Sequence, residues 1–172
     1  YVKPNSEIDK EAFLRAFSIY FPGKVIPMLP EKLSNLICSL RPHEDKLCFS
    51  VVVDFDATLS ICENVWFGKG IINSNHRFTY QEVEKIIKKG NGLFCKELDV
   101  MNKLAITLRM RRMEKGSINF DRRNLSFELN ADNEPVKTLQ TEPLQAHKLV
   151  EEFMLLANRK VAGRLKNCVY RV

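Results

Sequence analysis

The chain has 172 residues, with 27 Lys and Arg against 21 Asp and Glu, and 45% of its residues are hydrophobic. A single domain of this size buries about 70% of its unfolded surface, so a real core is available. The hydrophobic fraction, with only 7 Gly and 7 Pro, excludes fibrous and disordered classes. The formal charge of +6 is uneven, because residues 1–60 hold 7 of the basic and 8 of the acidic side chains and the whole excess falls in residues 61–172. No apolar run is long enough to span a bilayer, so no membrane partner is expected. Tyr1 opens the sequence without an initiator Met, an apolar signal region or an Arg-rich presequence, and the termini read as cut from something longer. Cys38, Cys48, Cys62, Cys95 and Cys168 are odd in number and scattered, with no C-x-x-C pair and no His at ligand spacing. Neither a zinc site nor a disulfide framework is expected, and the cysteine pattern points to a reducing, cytoplasmic setting.

Ser6, three residues before Asp9, opens a helix whose apolar spacing from Ile8 through Ala12, Phe13, Ala16 and Phe17 predicts an end near Tyr20, where Pro22 and Gly23 stop it. Val25 to Pro30, with prolines at 27 and 30, is expected to be irregular, and a short helix comes next over Glu31 to Leu40. From Leu47 to Phe55 the odd positions are Leu, Phe, Val, Val and Phe, the period of a strand with one buried face. A turn near Asp56 to Thr58 and a second strand around Asn64 to Ile72 make this a hairpin. Thr79 and Glu82 form a capping box for a short helix that ends at Gly90. A longer helix runs from Lys96 to Lys115 with Leu98, Met101, Leu104, Ala105 and Leu108 on one stripe, and Gly116 ends it. Short strands are expected at Ile118 to Phe120, Leu125 to Leu129 and Val136 to Thr141, the last two joined by the Asn130 to Glu134 turn. Pro143 begins a final long helix to about Lys166, and Val169 to Val172 can open another strand. Strands and helices mix without strict alternation, so the fold class is α+β, a mixed sheet packed with helices.

Three groups of residues carry chemistry. Asp54 and Asp56, at i and i+2 of a strand, share a face that suits a hard cation, but an outward-facing Asp54 and an Asp56 that starts the turn are better explained by local backbone bonding. On the last helix, 100° per residue gathers Ala146, Leu149, Val150, Phe153, Met154, Ala157 and Val161 into one apolar face. His147, Glu151 and Asn158 lie within about 40° of one another at its margin, either as a solvated stripe or as the lining of a cleft. Between Lys103 and Arg123, seven basic residues stand against Glu114 and Asp121. Helix-dipole compensation explains part of that cluster. What it leaves is cation alternating with flat ring, Arg77 with Phe78 and Tyr80 and then Phe120 with Arg122 and Arg123, the pairing that tracks a single-stranded nucleic acid and stacks its bases. No G-x-S-x-G elbow, Walker A loop or H-E-x-x-H is present, and Gly68-Lys69-Gly70 is too short to cradle a phosphate.

Longer runs of residues carry a resemblance. Ala16-Phe-Ser-Ile-Tyr-Phe-Pro-Gly-Lys-Val-Ile-Pro-Met-Leu-Pro-Glu-Lys-Leu-Ser-Asn35 is succeeded by Trp66-Phe67-Gly68, His76-Arg77-Phe78-Thr79-Tyr80, Ile118-Asn119-Phe120 and the segment from Ala146 to Asn158. In this order they resemble the middle of the catalytic RNB domain of the ribonuclease II and ribonuclease R family, and the Pro-Met-Leu-Pro block leans toward the ribonuclease R branch. The resemblance implies a processive 3′-to-5′ exoribonuclease that uses Mg²⁺ to hydrolyse single-stranded RNA to nucleoside 5′-monophosphates, with no small-molecule cofactor. It implies that Tyr20 packs against the terminal nucleotide, that Phe120 clamps the last bases, and that Tyr80 and Glu151 contact ribose hydroxyls, which tells RNA from DNA. His147 and Asn158 receive no role from it. The family's metal-holding aspartates, in a D-x-x-x-x-x-D-x-D-D pattern, precede the position of Tyr1, and its catalytic arginine lies past the position of Val172. Residues 1–172 therefore read as a partial RNB catalytic domain that lacks both, with no metal site and no mechanism of its own. Leu36-Ile37 replaces the usual Gly-Leu. The alternatives are a non-catalytic RNA-binding module on the same fold, and an interaction scaffold that does not touch RNA.

Overall fold

The computed structural model describes residues 1–118, 124–130, 132 and 134–165, without the side chains of 62, 63, 124–126 and 139–141. Four α-helices, one π-helical turn and three two-stranded sheets make up the regular elements of these residues, in line with the expected α+β class. The chain divides into two compact units, one of Tyr1–Cys48, Gly70–Arg77 and Asn124–Thr141, the other of Phe49–Lys69, Phe78–Arg123 and Glu142–Val172.

The first unit begins with helix α1 (Glu7–Arg15), where Ser6 Oγ accepts the Asp9 amide at 3.3 Å and the Asp9 carboxylate accepts the Asn5 amide at 2.8 Å. The helix ends at Arg15 and not at Tyr20, with Ala16 at φ +62°. It stops early because Ile19, Tyr20 and Phe21 are strand formers, and they pair as β1 (Ile19–Phe21) with β2 (Lys24–Ile26) around Pro22-Gly23. The segment expected to be irregular thus supplies a strand, and only Pro27 ends it. Arg15 Nη1 donates to the Pro27 carbonyl at 3.3 Å and the Met28 amide donates to Ser18 Oγ at 2.9 Å, which tie the hairpin back to α1. The predicted short helix is a π-helical turn over Lys32–Ile37, closed by the Cys38 amide on the Leu33 carbonyl at 2.8 Å. Strands β5 (Asn124–Leu129) and β6 (Pro135–Thr141) form the expected hairpin. Its turn is held by Asn130 Oδ1, which accepts the Asp132 and Glu134 amides at 3.0 and 2.8 Å.

Strands β3 (Asp45–Phe55) and β4 (Ile61–Asn73) form the longest hairpin. Its alternation differs from the predicted single face. Leu47 and Phe49 are 61% and 68% exposed, whereas Val51, Val53 and Phe55 are half-covered, and the two half-covered neighbours Ser50 and Val51 mark where the strand changes face.

The second unit holds the core. Helix α2 (Tyr80–Lys89) carries the predicted capping box: the Glu82 amide donates to Thr79 Oγ1 at 3.3 Å and the Thr79 amide to Glu82 Oε2 at 2.7 Å. Gly90, at φ +67°, closes its other end in a conformation that a side chain would strain. Helices α3 (Cys95–Glu114) and α4 (Gln145–Arg164) pack with α2 and with each other, burying Leu98, Leu104, Ala105, Ala146, Leu149 and Leu155. Each leucine so buried stabilises the unit by about 1.5–3 kcal/mol. The covered face of α4 is rotated from the predicted one: Val150 and Met154 are exposed, and Glu152 is buried in their place. The strands expected at Ile118 to Phe120 and Val169 to Val172 fall wholly or partly outside the described residues.

Candidate nucleic-acid interface

The sequence-predicted residues divide between the units. Tyr20 sits in β1 of the first, 77% exposed and opposite Val25. Tyr80 and Glu151 belong to the second, and Phe120 lies outside the described residues.

Within the second unit a short chain of contacts links the first turns of α2 and α4. Tyr80 and Glu84 are four residues apart and share one face of α2. Leu144, at the start of α4, has no side chain able to accept a hydrogen bond, and Glu84 fills that role from α2, its Oε2 accepting the Ala146 amide at 3.1 Å. Burial opposes the charge on Glu84, but the Ala146 and Gln145 amides and the Lys88 ammonium at 3.1 Å outweigh it and hold the carboxyl below its ordinary range. Gln145 Nε2 donates to Asn102 Oδ1 at 3.0 Å and fixes the same turn to α3. On this anchored turn His147 Nδ1 accepts the Leu144 amide at 3.0 Å, and the imidazole lies against the Tyr80 ring with centroids 4.1 Å apart, tilted by 38°. Glu151, one turn further along α4, is exposed, with Arg112 of α3 at 3.6 Å.

Arg112 is itself fixed from beneath. Glu152 is only 3% exposed and takes a two-pronged contact from Arg112, at 2.5 Å from Nη2 and 3.3 Å from Nε, with Arg109 Nη1 at 3.7 Å. The Glu152 carboxylate raises the Arg112 pKa further, so the guanidinium is permanently charged beside Glu151. Arg111 turns the other way and donates to the Leu59 carbonyl at 2.8 Å, bracing the β3–β4 turn. The basic cluster expected to track RNA is therefore partly internal: Arg109, Arg111 and Arg112 serve the fold, and Lys103 pairs with Asp99 at 2.6 Å.

The family-like motifs mix structural and surface roles in the same way. In Trp66-Phe67-Gly68 the indole lies over Gly68, where any Cβ would collide with the six-membered ring of Trp66, and the Arg164 guanidinium stands 5.2 Å from the Phe67 ring centre. Phe78 meets Phe94 edge to face at 6.2 Å. Asp56 Oδ1 accepts the Thr58 hydroxyl and the Ser60 and Thr58 amides, which keep its carboxyl below the usual range, while Asp54 is exposed. These two aspartates are thus a turn and its neighbour, and among the described residues no three His, Cys, Asp or Glu side chains gather as a metal site. The described residues do not fit a divalent cation. Sequence reasoning missed Glu84 and Glu152 and saw Arg112 only as part of the basic cluster; the doublet Glu151-Glu152 held one signal, since adjacent helix positions lie about 100° apart and one of the two faces toward the core.

This geometry sits on a fold with known counterparts. The RNB domain model matches residues 1–172, and the chain belongs to the RNB domain family. Among its relatives, Ribonuclease R of Chlamydia pneumoniae is 42% identical over 168 residues, which is 97% of this chain and 25% of that protein. Mycoplasma genitalium RNase R superposes with a TM-score of 0.87 and 32% identity in its complex with ribose methylated single-stranded RNA, over 96% of this chain and 26% of that one. Its complex with double-stranded RNA gives a TM-score of 0.88 over 96% and 30%. The chain spans about a quarter of the length of these relatives.

Proposed function

We propose that these 172 residues are part of an RNB catalytic domain, and that the full-length protein is a processive 3′-to-5′ exoribonuclease that hydrolyses single-stranded RNA to nucleoside 5′-monophosphates. The observation that carries this reading is the Tyr80–His147 ring contact, with Glu151 one turn further along α4, on a fold that matches an RNase R in complex with RNA. A carboxylate and a phenol suit a ribose: Glu151 accepts from a hydroxyl, and the Tyr80 O–H donates or accepts. A deoxyribose leaves one of these groups without its partner, which is the form of discrimination that hydrogen-bonding sites do best. Tyr20 and Phe120 stack on bases near the 3′ end, and phosphate contacts supply salt-sensitive affinity. The ion is Mg²⁺, as the family resemblance implies, and its ligands lie outside these residues. The setting is the cytoplasm; no helix among the described residues is long and apolar enough to cross a membrane.

The test is Mg²⁺-dependent release of nucleoside 5′-monophosphates from a uniformly labelled single-stranded oligoribonucleotide by the full-length protein. Stepwise loss of 5′-monophosphates is expected. Internal cleavage, or 3′-monophosphate products, overturns the reading. Tight, salt-sensitive binding with the strand left intact assigns the non-catalytic RNA-binding module instead, and no binding at all leaves the interaction scaffold.

A further inference from the structure

We infer that His147 is a positioning residue for Tyr80: it sets the plane of the phenol ring and thereby the RNA-over-DNA selectivity of the site. The inference rests on the ribose-reading role proposed for Tyr80 and Glu151. Tyr80 is the first residue of α2 and is 43% exposed, so its own helix constrains the ring little. Among the described residues, the aromatic surface against it is the His147 imidazole, 4.1 Å away between centres. That imidazole is held by one hydrogen bond of its own, and the turn that carries it by two more. Its Nδ1 accepts the Leu144 amide, which places the proton of the neutral ring on Nε2. The turn that carries it is held to α2 through Glu84 and to α3 through Gln145 and Asn102. Glu151 stands at i+4 on the same face of α4, so the group that holds the phenol and the carboxylate that shares its task belong to one rigid helix. A side chain whose rotamer is locked by neighbours is what a recognition site needs to hold geometry within a fraction of an ångström.

Two substitutions separate the ring from the cap. His147→Asn keeps an acceptor for the Leu144 amide and removes the ring; His147→Phe keeps a ring face and removes the acceptor. Binding of the full-length protein is measured to two oligonucleotides that differ only in a ribose or deoxyribose at the 3′-terminal residues, alongside Tyr80→Ala and the Tyr80→Ala/His147→Asn double variant. His147→Asn is expected to cut the RNA-over-DNA affinity ratio by about tenfold or more, toward that of Tyr80→Ala, with affinity for the deoxy strand unchanged. Its melting temperature stays within about 2 °C of the parent. His147→Phe keeps the ratio, and the double variant loses no more than Tyr80→Ala alone. A His147→Asn variant that retains full selectivity while Tyr80→Ala loses it overturns the positioning role and leaves the proposed function standing. Selectivity that survives Tyr80→Ala overturns both the positioning role and the ribose-reading role of Tyr80.

Discussion

The two units are built on different principles. Every buried residue among those described, including Leu98, Leu104, Ala105, Leu149, Leu155 and the charged Glu84 and Glu152, belongs to the unit of α2, α3 and α4. In the unit of α1, β1 and β2, Phe13, Phe17 and Tyr20 are 85%, 66% and 77% exposed, and its order comes from caps, tight turns and single side-chain tethers. The contrast bears on function. Tyr80, His147 and Glu151 stand on helices fixed by a core and a buried ion pair, so their geometry is set before any ligand arrives. Tyr20 is displayed on a short hairpin, where a ring offers stacking surface without a rigid frame. Under the proposed function, the first arrangement serves to read a sugar, which needs angles, and the second to hold a base, which needs area.

The contrast can be tested by substitution, beginning where the expected loss is greatest. Glu152→Ala removes the buried carboxylate that Arg112 and Arg109 share and is expected to cost about 3–5 kcal/mol in chemical denaturation. Leu149→Ala opens a cavity in the same core and costs about 2–5 kcal/mol, whereas Phe13→Ala in the 172-residue chain changes stability by less than about 0.5 kcal/mol. A large cost for Phe13→Ala would erase the distinction between the units. Glu84→Gln weakens the cap on α4 and is expected to cost about 1 kcal/mol at neutral pH. Because the folded carboxyl of Glu84 titrates below its unfolded value of 4.5, its contribution is complete above that pH and is lost as the pH falls through the folded value. The difference between parent and Glu84→Gln therefore shrinks on acidification, which pH-dependent denaturation reads directly. Tyr20→Ala has the smallest expected effect on stability, under about 0.5 kcal/mol, yet weakens binding of both RNA and DNA single strands by about 1–3 kcal/mol. Equal loss for the two strands distinguishes it from Tyr80→Ala, whose loss falls on RNA.

Much of this architecture is legible in the sequence, and the reasons are local. Ser6 and Asp9 mark one helix start, Thr79 and Glu82 another, Gly90 and Gly116 two ends, and Asn130 a turn, because each signal acts over three or four residues. The family motifs single out Tyr80 and Glu151, and the fold places both in one unit. The partners that hold them there are not legible. Glu84 and Ala146 are 62 residues apart in sequence, and Arg112 and Glu152 are 40 apart.

The sequence by itself therefore determined where most elements start and stop, the α+β class and the family, since caps, turn residues and ordered motifs are short-range or contiguous. Only the tertiary structure decided that α1 yields to a strand before Tyr20, which face of α4 turns inward, and that Arg109, Arg111 and Arg112 serve the interior more than the surface. A buried carboxylate looks like any solvated Glu until the cation that neutralises it is brought close, and that meeting is made by helix packing and not by spacing along the chain.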